Sequence, residues 1–353
     1  MRFARAAAAI GGRWKGRLLV GGWLVGAGIF ACSSSDTAMT RRTERAPYVG
    51  TDSMGALPAS TKLVRVQARP ELLENSAAAY SYGQPGVIFT INDSGNDPLL
   101  FALDTTGADR GVWRVQGATD ADWEAASAGP CGSHAIMPAI AKPNECVYIG
   151  DTGDNSEART SRVIYRVPEP PARSAGFTGT LTAEALRYRY PDGAHDVEAM
   201  YVPPNGFIYL ITKRPRRDAA GRLRPALVFV LPPDAWGKPG PVVAELVDSL
   251  PIVPGSAPLR VITDAGLAPD ARFLAVRTYA QVYTFATDPA TGRVIGAIPP
   301  AVCNIVALNV WPGEGVTWFP GTTKLLLTSE GRFSPMQVVD CPMPRRDHEG
   351  GTR

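Results

Sequence analysis

The feature that most constrains this chain is a short acidic phrase used again and again. Asp122-Trp123-Glu124-Ala125-Ala126 and Asp196-Val197-Glu198-Ala199-Met200 share the form Asp-x-Glu-Ala. Looser relatives stand at Glu74-Asn75-Ser76-Ala77, Thr263-Asp264-Ala265-Gly266 and Gly313-Glu314-Gly315-Val316. After each comes a turn and then a short β-prone run, at Val87 to Ile91, Cys146 to Ile149, Phe207 to Ile211, Phe273 to Val276 and Lys324 to Thr328. One such unit cannot bury its own apolar face, so five of them must stack against one another. The 36 Gly and 32 Pro residues, with few helical patterns, make the chain all-β and rich in turns.

Further β-prone runs complete each unit. The first adds Leu72 to Ala79, Leu99 to Leu103 and Gly111 to Val115; the second adds Asp122 to Ser127, Arg162 to Val167 and Leu181 to Tyr190. The third is expected to close with Val242 to Val247 and the fourth with Ile305 to Val310. The fifth has Glu314 to Phe319, Lys324 to Ser329 and Met336 to Val339 but no fourth strand. Lys62 to Gln67, orphaned at the start, supplies it and removes the free sheet edges. The expected fold is therefore a β-propeller of five blades, each a four-stranded antiparallel sheet, over residues 61–341. The acidic copies at 74, 124, 198, 264 and 314 lie 50, 74, 66 and 50 residues apart, one per blade with insertions. Six blades are the alternative if the segment 128–146 or 286–305 hides another. A β-sandwich would hold the strands without explaining the recurring acids.

The N-terminus reads as an export signal. Arg2, Arg5, Arg13, Lys15 and Arg17 form a basic region without acids, and Leu18 to Ala31 is a short apolar run. Ile29-Phe30-Ala31-Cys32-Ser33 resembles a bacterial lipobox, which implies lipidation of Cys32 and loss of residues 1–31; ordinary secretion is the alternative. Residues 32–60, rich in Ser, Thr, Ala and Arg, are expected as a flexible tether, and 342–353 as a disordered tail. The chain carries 36 basic and 33 acidic residues; without the five basic residues of the signal the balance is 31 to 33, about −2. That charge gives nucleic-acid binding no support. Cys131, Cys146, Cys303 and Cys341 then remain, an even number in an exported chain, and no Cys-x-x-Cys metal spacing occurs. Three pairings are possible, and the favoured one joins Cys131 with Cys146, across neighbouring strands, and Cys303 with Cys341, across the last two repeats.

In a propeller the first strand of each blade lines the channel, and the loop entering it shares a face with the loop joining strands two and three. Two residue sets should converge there. The first is Glu74, Asn75, Asp122, Glu124, Asp196, Glu198, Asp264 and Glu314; the second is Asn92, Asp93, Asp151, Asp154, Asn155, Lys213, Arg277, Tyr279 and Glu330. Carboxylates crowded at one mouth repel, so something must compensate. A hard cation such as Ca²⁺ is one solution, held by Glu74, Asn75, Glu124, Glu198, Asp264 and Glu314. The other is structural, each acid accepting backbone N–H groups of a neighbouring blade. His195, Asp196 and Glu198 are the candidate acid–base group, against the plainer reading of a loop histidine. No Gly-x-Ser-x-Gly, His-Glu-x-x-His or P-loop is present. Trp123 and Trp318 read as packing between blades.

Across about residues 62–340 the Asp-x-Glu-Ala copies, Gly150-Asp151-Thr152-Gly153-Asp154-Asn155 and Arg277-Thr278-Tyr279 together resemble bacterial extracytoplasmic propeller lipoproteins. More distantly they are similar to the esterase-like phytase, gluconolactonase and paraoxonase propellers. The resemblance implies Ca²⁺ in the channel, held by Glu74 or Asn75, Glu124, Glu198, Asp264 and Glu314, with ester, lactone or phosphoester hydrolysis above it. The expected function is an envelope-anchored, monomeric propeller that binds a small molecule or protein on its acidic face, with Cys32 as its membrane contact. A Ca²⁺-assisted hydrolase and, more weakly, a five-bladed glycosidase are the alternatives.

Overall fold

The computed structural model describes residues 55–132, 145–213, 220–222, 224–252, 261–308, 311–319 and 321–345. The signal and lipidation readings at residues 1–32 lie outside these. Strand β1 (Thr61–Val66) comes first, followed by β2 (Ala79–Tyr80), β3 (Val87–Thr90), β4 (Leu99–Asp104) and β5 (Asp109–Gln116), the first blade. The second begins with β6 (Trp123–Pro130), β7 (Glu145–Asp151) and β8 (Arg162–Pro168). Next come β9 (Thr178–Thr182) and β10 (Glu184–Arg189). The third blade has β11 (Val197–Tyr201), β12 (Ile208–Thr212) and β13 (Ala226–Leu231), then β14 (Val242–Val243) and β15 (Glu245–Leu250). The fourth is β16 (Ile262–Leu267), β17 (Phe273–Thr278), β18 (Gln281–Ala286) and β19 (Ala301–Asn304). The last is β20 (Val316–Trp318), β21 (Leu325–Leu327) and β22 (Pro335–Val339).

Five sheets ring an axis, and their first strands touch in the closed order β2, β6, β11, β16, β20 and back to β2. The core is accordingly divided into five layers, one between each pair of adjacent blades. Trp123 fills the layer between the first and second blades, and Trp318 that between the fourth and fifth. Five closed layers leave no place for a sixth blade. Ring closure follows the expected route: β1 pairs antiparallel with β22, Thr61 opposite Val339 and Lys62 opposite Val338.

Small residues make the narrow axis possible. A Cβ on Gly266 would sit 2.7 Å from the carbonyl oxygen of Val316 in the next blade, closer than any side chain tolerates.

Outer strands depart from the sequence reading. The run expected as one strand at Leu181 to Tyr190 is two. β9 lies parallel to β5 on the first blade, and β10 pairs with β8 in its own. Val242 to Val247 divides likewise, β14 lying parallel to β10 of the preceding blade and β15 pairing with β13. Each connection thus fastens to its neighbour before turning home, which covers an exposed sheet edge. The fourth blade closes at Ala301–Asn304 rather than Ile305 to Val310, part of which, Val306–Leu308, is a short 3₁₀ turn. Both disulfides form as expected. Cys131 joins Cys146 and Cys303 joins Cys341, with Cα atoms 5.0 and 5.5 Å apart. Both ends of the described span are held to the fourth blade. Ala56 exchanges backbone hydrogen bonds with the Val302 carbonyl and the Asn304 N–H, and the Pro342 carbonyl accepts the Thr284 hydroxyl.

Candidate functional site

The acidic phrase has a geometric reason. Where β6 meets β7, Trp123 faces Asp151 and Ala125 faces Gly150, so Glu124 is an extra residue in a bulge. Glu198 occupies the same position in the third blade and Thr263 in the fourth. In the fifth, Glu314 donates its N–H to the Thr328 carbonyl while Thr328 donates back to Gly315; in the first, Ser76 donates to Ile91. The bulge turns one side chain per blade toward the axis, and the ring it makes is Ser76, Glu124, Glu198, Thr263 and Glu314. Three of these were expected there; Ser76 and Thr263 were not.

Two residues earlier the chain enters from the surface, beside the loop between the second and third strands. The N–H groups of Asp93, Gly153, Lys213 and Glu330 donate to the carbonyls of Glu74, Asp122, Asp196 and Pro312. One residue is thereby set at the mouth in each of four blades, the first, second, third and fifth. In the second blade it is Gly153, where a Cβ would lie 2.6 Å from the Asp122 carboxyl carbon. That vacancy admits a carboxylate cluster: oxygens of Asp93, Asp122 and Glu124 lie within 4.8 Å of one another. Among the described residues none of the three makes an ion pair, and Glu124 accepts the Ser76 hydroxyl at 2.6 Å. Burial, then Asp93, pushes Asp122 up to about 6 and holds Glu124 well above the usual carboxylate range. Burial chiefly pushes Asp120 up to about 7, with Asp151, Asp93 and Asp122 adding to it.

A second group faces it. Burial and Glu330 push Glu314 up to about 7, while Lys213, Arg277 and the Tyr279 hydroxyl oppose the rise. Tyr279 packs on Trp311, ring centroids 4.6 Å apart, and Trp311 is 57% exposed. Lys213 ion-pairs with buried Glu198 and acts on Glu124, Glu314 and Glu330 as well.

The remaining expected residues do structural work. Asp264 sits one position past the bulge. It accepts N–H groups of Val316 at 2.7 Å, Ala265 at 2.8 Å and Ala78 at 3.1 Å, joining three blades. Arg277, fully buried, donates to the carbonyls of Gly315 and Thr328. Asn75 is held by Thr90 and Thr328, and exposed Glu74 accepts Asn96. Asn92 caps the backbone of Leu73 and Glu74. Asp196 accepts the Asp154 N–H, Asp154 pairs with Arg162, and Asp151 pairs with Arg159. Asn155 is exposed. His195 packs edge-on against Tyr190 and tilted against Phe229 with Nε2 2.8 Å from Asp192, in the layer between the second and third blades rather than at the axis.

This mouth titrates in an unusual window. In chelator, carboxyls raised by burial bind protons in the folded chain that the unfolded chain has already lost, so stability falls as pH rises from about 5 to 8. Unfolding temperatures across that range check this; a flat or rising profile contradicts it.

No protein-family model matches the chain, and no curated protein matches it. The similar solved structures are β-propeller proteins. Glutaminyl cyclase of Myxococcus xanthus is 15% identical over 80% of this chain and 97% of that one, with a TM-score of 0.42. The allergen Mala s 1 of Malassezia sympodialis is 10% identical over 84% and 100%, with a TM-score of 0.49. A gluconolactonase of Xanthomonas campestris is 11% identical over 81% and 97%, with a TM-score of 0.37.

Proposed function

We propose that this chain is an exported propeller that binds a divalent cation, Ca²⁺, at Asp93, Asp122 and Glu124 and presents the ion's open side to an oxygen-rich ligand. The observation that carries this is the cluster of three carboxylates within 4.8 Å, beside the Cβ-free position of Gly153. Oxygen ligands around Ca²⁺ at about 2.4 Å are at most about 5 Å apart, and an all-oxygen donor set suits a hard cation. Asp93 and Asp122 are part-exposed, leaving the outer side of the ion to solvent or ligand. Calorimetric titration with Ca²⁺ is expected to show one site in the wild type and at least about a tenfold loss in Asp122→Asn, equal to about 1.4 kcal/mol. Chelation should lower the unfolding temperature of the wild type by mass action. Gly153→Ala should weaken the ion too, by filling the space the carboxyls occupy. A wild type that takes up no divalent cation overturns the reading.

Hydrolysis is the second reading, favoured by Glu314, whose carboxyl near 7 beside Glu330 offers an acid and a base on the same mouth. An ester, lactone or phosphoester turned over with Ca²⁺ and lost in Glu314→Gln would support it.

The cellular setting belongs to this proposal. Two disulfides favour an oxidising, extracytoplasmic compartment, and among the described residues no helix is long and apolar enough to cross a membrane. With Cys32 lipidated, wild type partitions with membranes and Cys32→Ala is released as soluble domain. A Cys32→Ala chain that stays membrane-bound contradicts the anchor.

A further inference from the structure

The first strands run from the acidic mouth to the other end of the channel, where a different chemistry waits. Beyond the ends of β2, β6, β11 and β16 lies a cavity of about 480 Å³, walled by Tyr80, Tyr82, Val202, Leu267 and several prolines. Glu145 supplies the one charge among its described lining residues. The Glu145 Oε2 atom is shielded from solvent and has no hydrogen-bond partner. Behind it stands a second acid: Glu169 binds Ser81 and Gln84 through Oε1, while its Oε2 is likewise buried without a partner. Among the described residues no base pairs with either. Tyr82 is tied across the mouth by a hydrogen bond to the Leu267 carbonyl at 3.3 Å, and Tyr80 packs edge-on against it with centroids 6.3 Å apart.

A half-buried carboxylate with one shielded, unpartnered oxygen beside a second acid is costly and favours a counter-charge. Its surroundings are aromatic and aliphatic, so the counter-charge they favour carries an apolar body. Aromatic rings attract a cation through their faces, and a mostly apolar pocket of this size with one polar anchor suits a small molecule. We propose that this cavity binds a small organic cation, an amine or quaternary ammonium with an apolar body, its charge held by Glu145 and its body by Tyr80, Tyr82 and Leu267. The site is independent of the acidic mouth.

Phenethylamine, 2-phenylethanol and 3-phenylpropanoate share shape and differ in charge. Titrated against the mature domain in saturating Ca²⁺, which occupies the acidic mouth, the cation is expected to bind at least about tenfold more tightly than the neutral probe, and the anion not at all. In Glu145→Gln the cation should fall to the level of the neutral probe, with Ca²⁺ affinity unchanged. Equal binding of cation and neutral probe, discrimination that survives Glu145→Gln, or no binding at about 10 mM overturns the proposal. Should Glu145→Gln not fold, a photoreactive phenethylamine on the wild type decides. Labelling of the peptide holding Tyr80 and Tyr82 supports the site, and labelling only elsewhere overturns it.

Discussion

Asp264→Ala is expected to cost about 4 kcal/mol or more, whether or not Ca²⁺ is present. The carboxylate is fully buried and accepts three backbone N–H groups, from Ala78, Ala265 and Val316, which lose their shared acceptor once it is gone. Buried Arg277 nearby would lose a neighbouring negative charge at the same time. Burial pushes the Asp264 carboxyl up, while its N–H donors and Arg277 oppose that. Asp264→Asn keeps one carbonyl oxygen for the donors and should cost about half as much. Chemical denaturation in chelator and in Ca²⁺ separates the possibilities. A loss of Ca²⁺ affinity with unchanged chelator-state stability would make Asp264 a ligand instead of a staple.

The second large effect concerns ring closure. A chain starting at Gln67 lacks β1 and should melt more than about 10 °C below one starting at Gly55, both carried by the same leader. β22 would lose its partner from Thr61 to Val66 and expose an unpaired edge. Such an edge pairs with other chains, so aggregation on heating should rise as well. The Cys303–Cys341 disulfide remains in the truncated chain, which keeps the comparison on the strand itself. Equal melting temperatures would show that the ring closes through its inter-blade layers alone.

Much of this was legible in the residues because it depends on short-range pattern. Five acidic phrases before five β-prone runs required a repeat, and the orphan run at Lys62 named the strand that closes it. Cysteine pairing followed from which repeats were neighbours. Outer strands were harder: Leu181 to Tyr190 reads as one β run, and only the free edge of the first blade explains why Thr178–Thr182 leaves to pair there. The acids were read in part. Asp264 resembles Glu124 in sequence, yet the bulge places Thr263 at the ring and turns Asp264 to backbone. A bulge costs one residue of register and has no sequence mark of its own. Asp93 and Gly153 could have been paired from the sequence, since Gly in Asp151-Thr152-Gly153-Asp154 stands where the other loops carry a side chain.

The sequence by itself thus determined the kind of fold and the strand that closes it, and favoured five repeats and the two cysteine pairs, because periodicity and spacing are properties of the chain; the five closed layers and the bonded sulfurs decided the repeat number and the disulfides. Only the tertiary structure decided which carboxylates meet, since that turns on bulges and a missing Cβ at the contact of two blades. It likewise decided that Glu145, unremarkable in sequence, lies unpaired at the far mouth, because burial is conferred by neighbours distant along the chain.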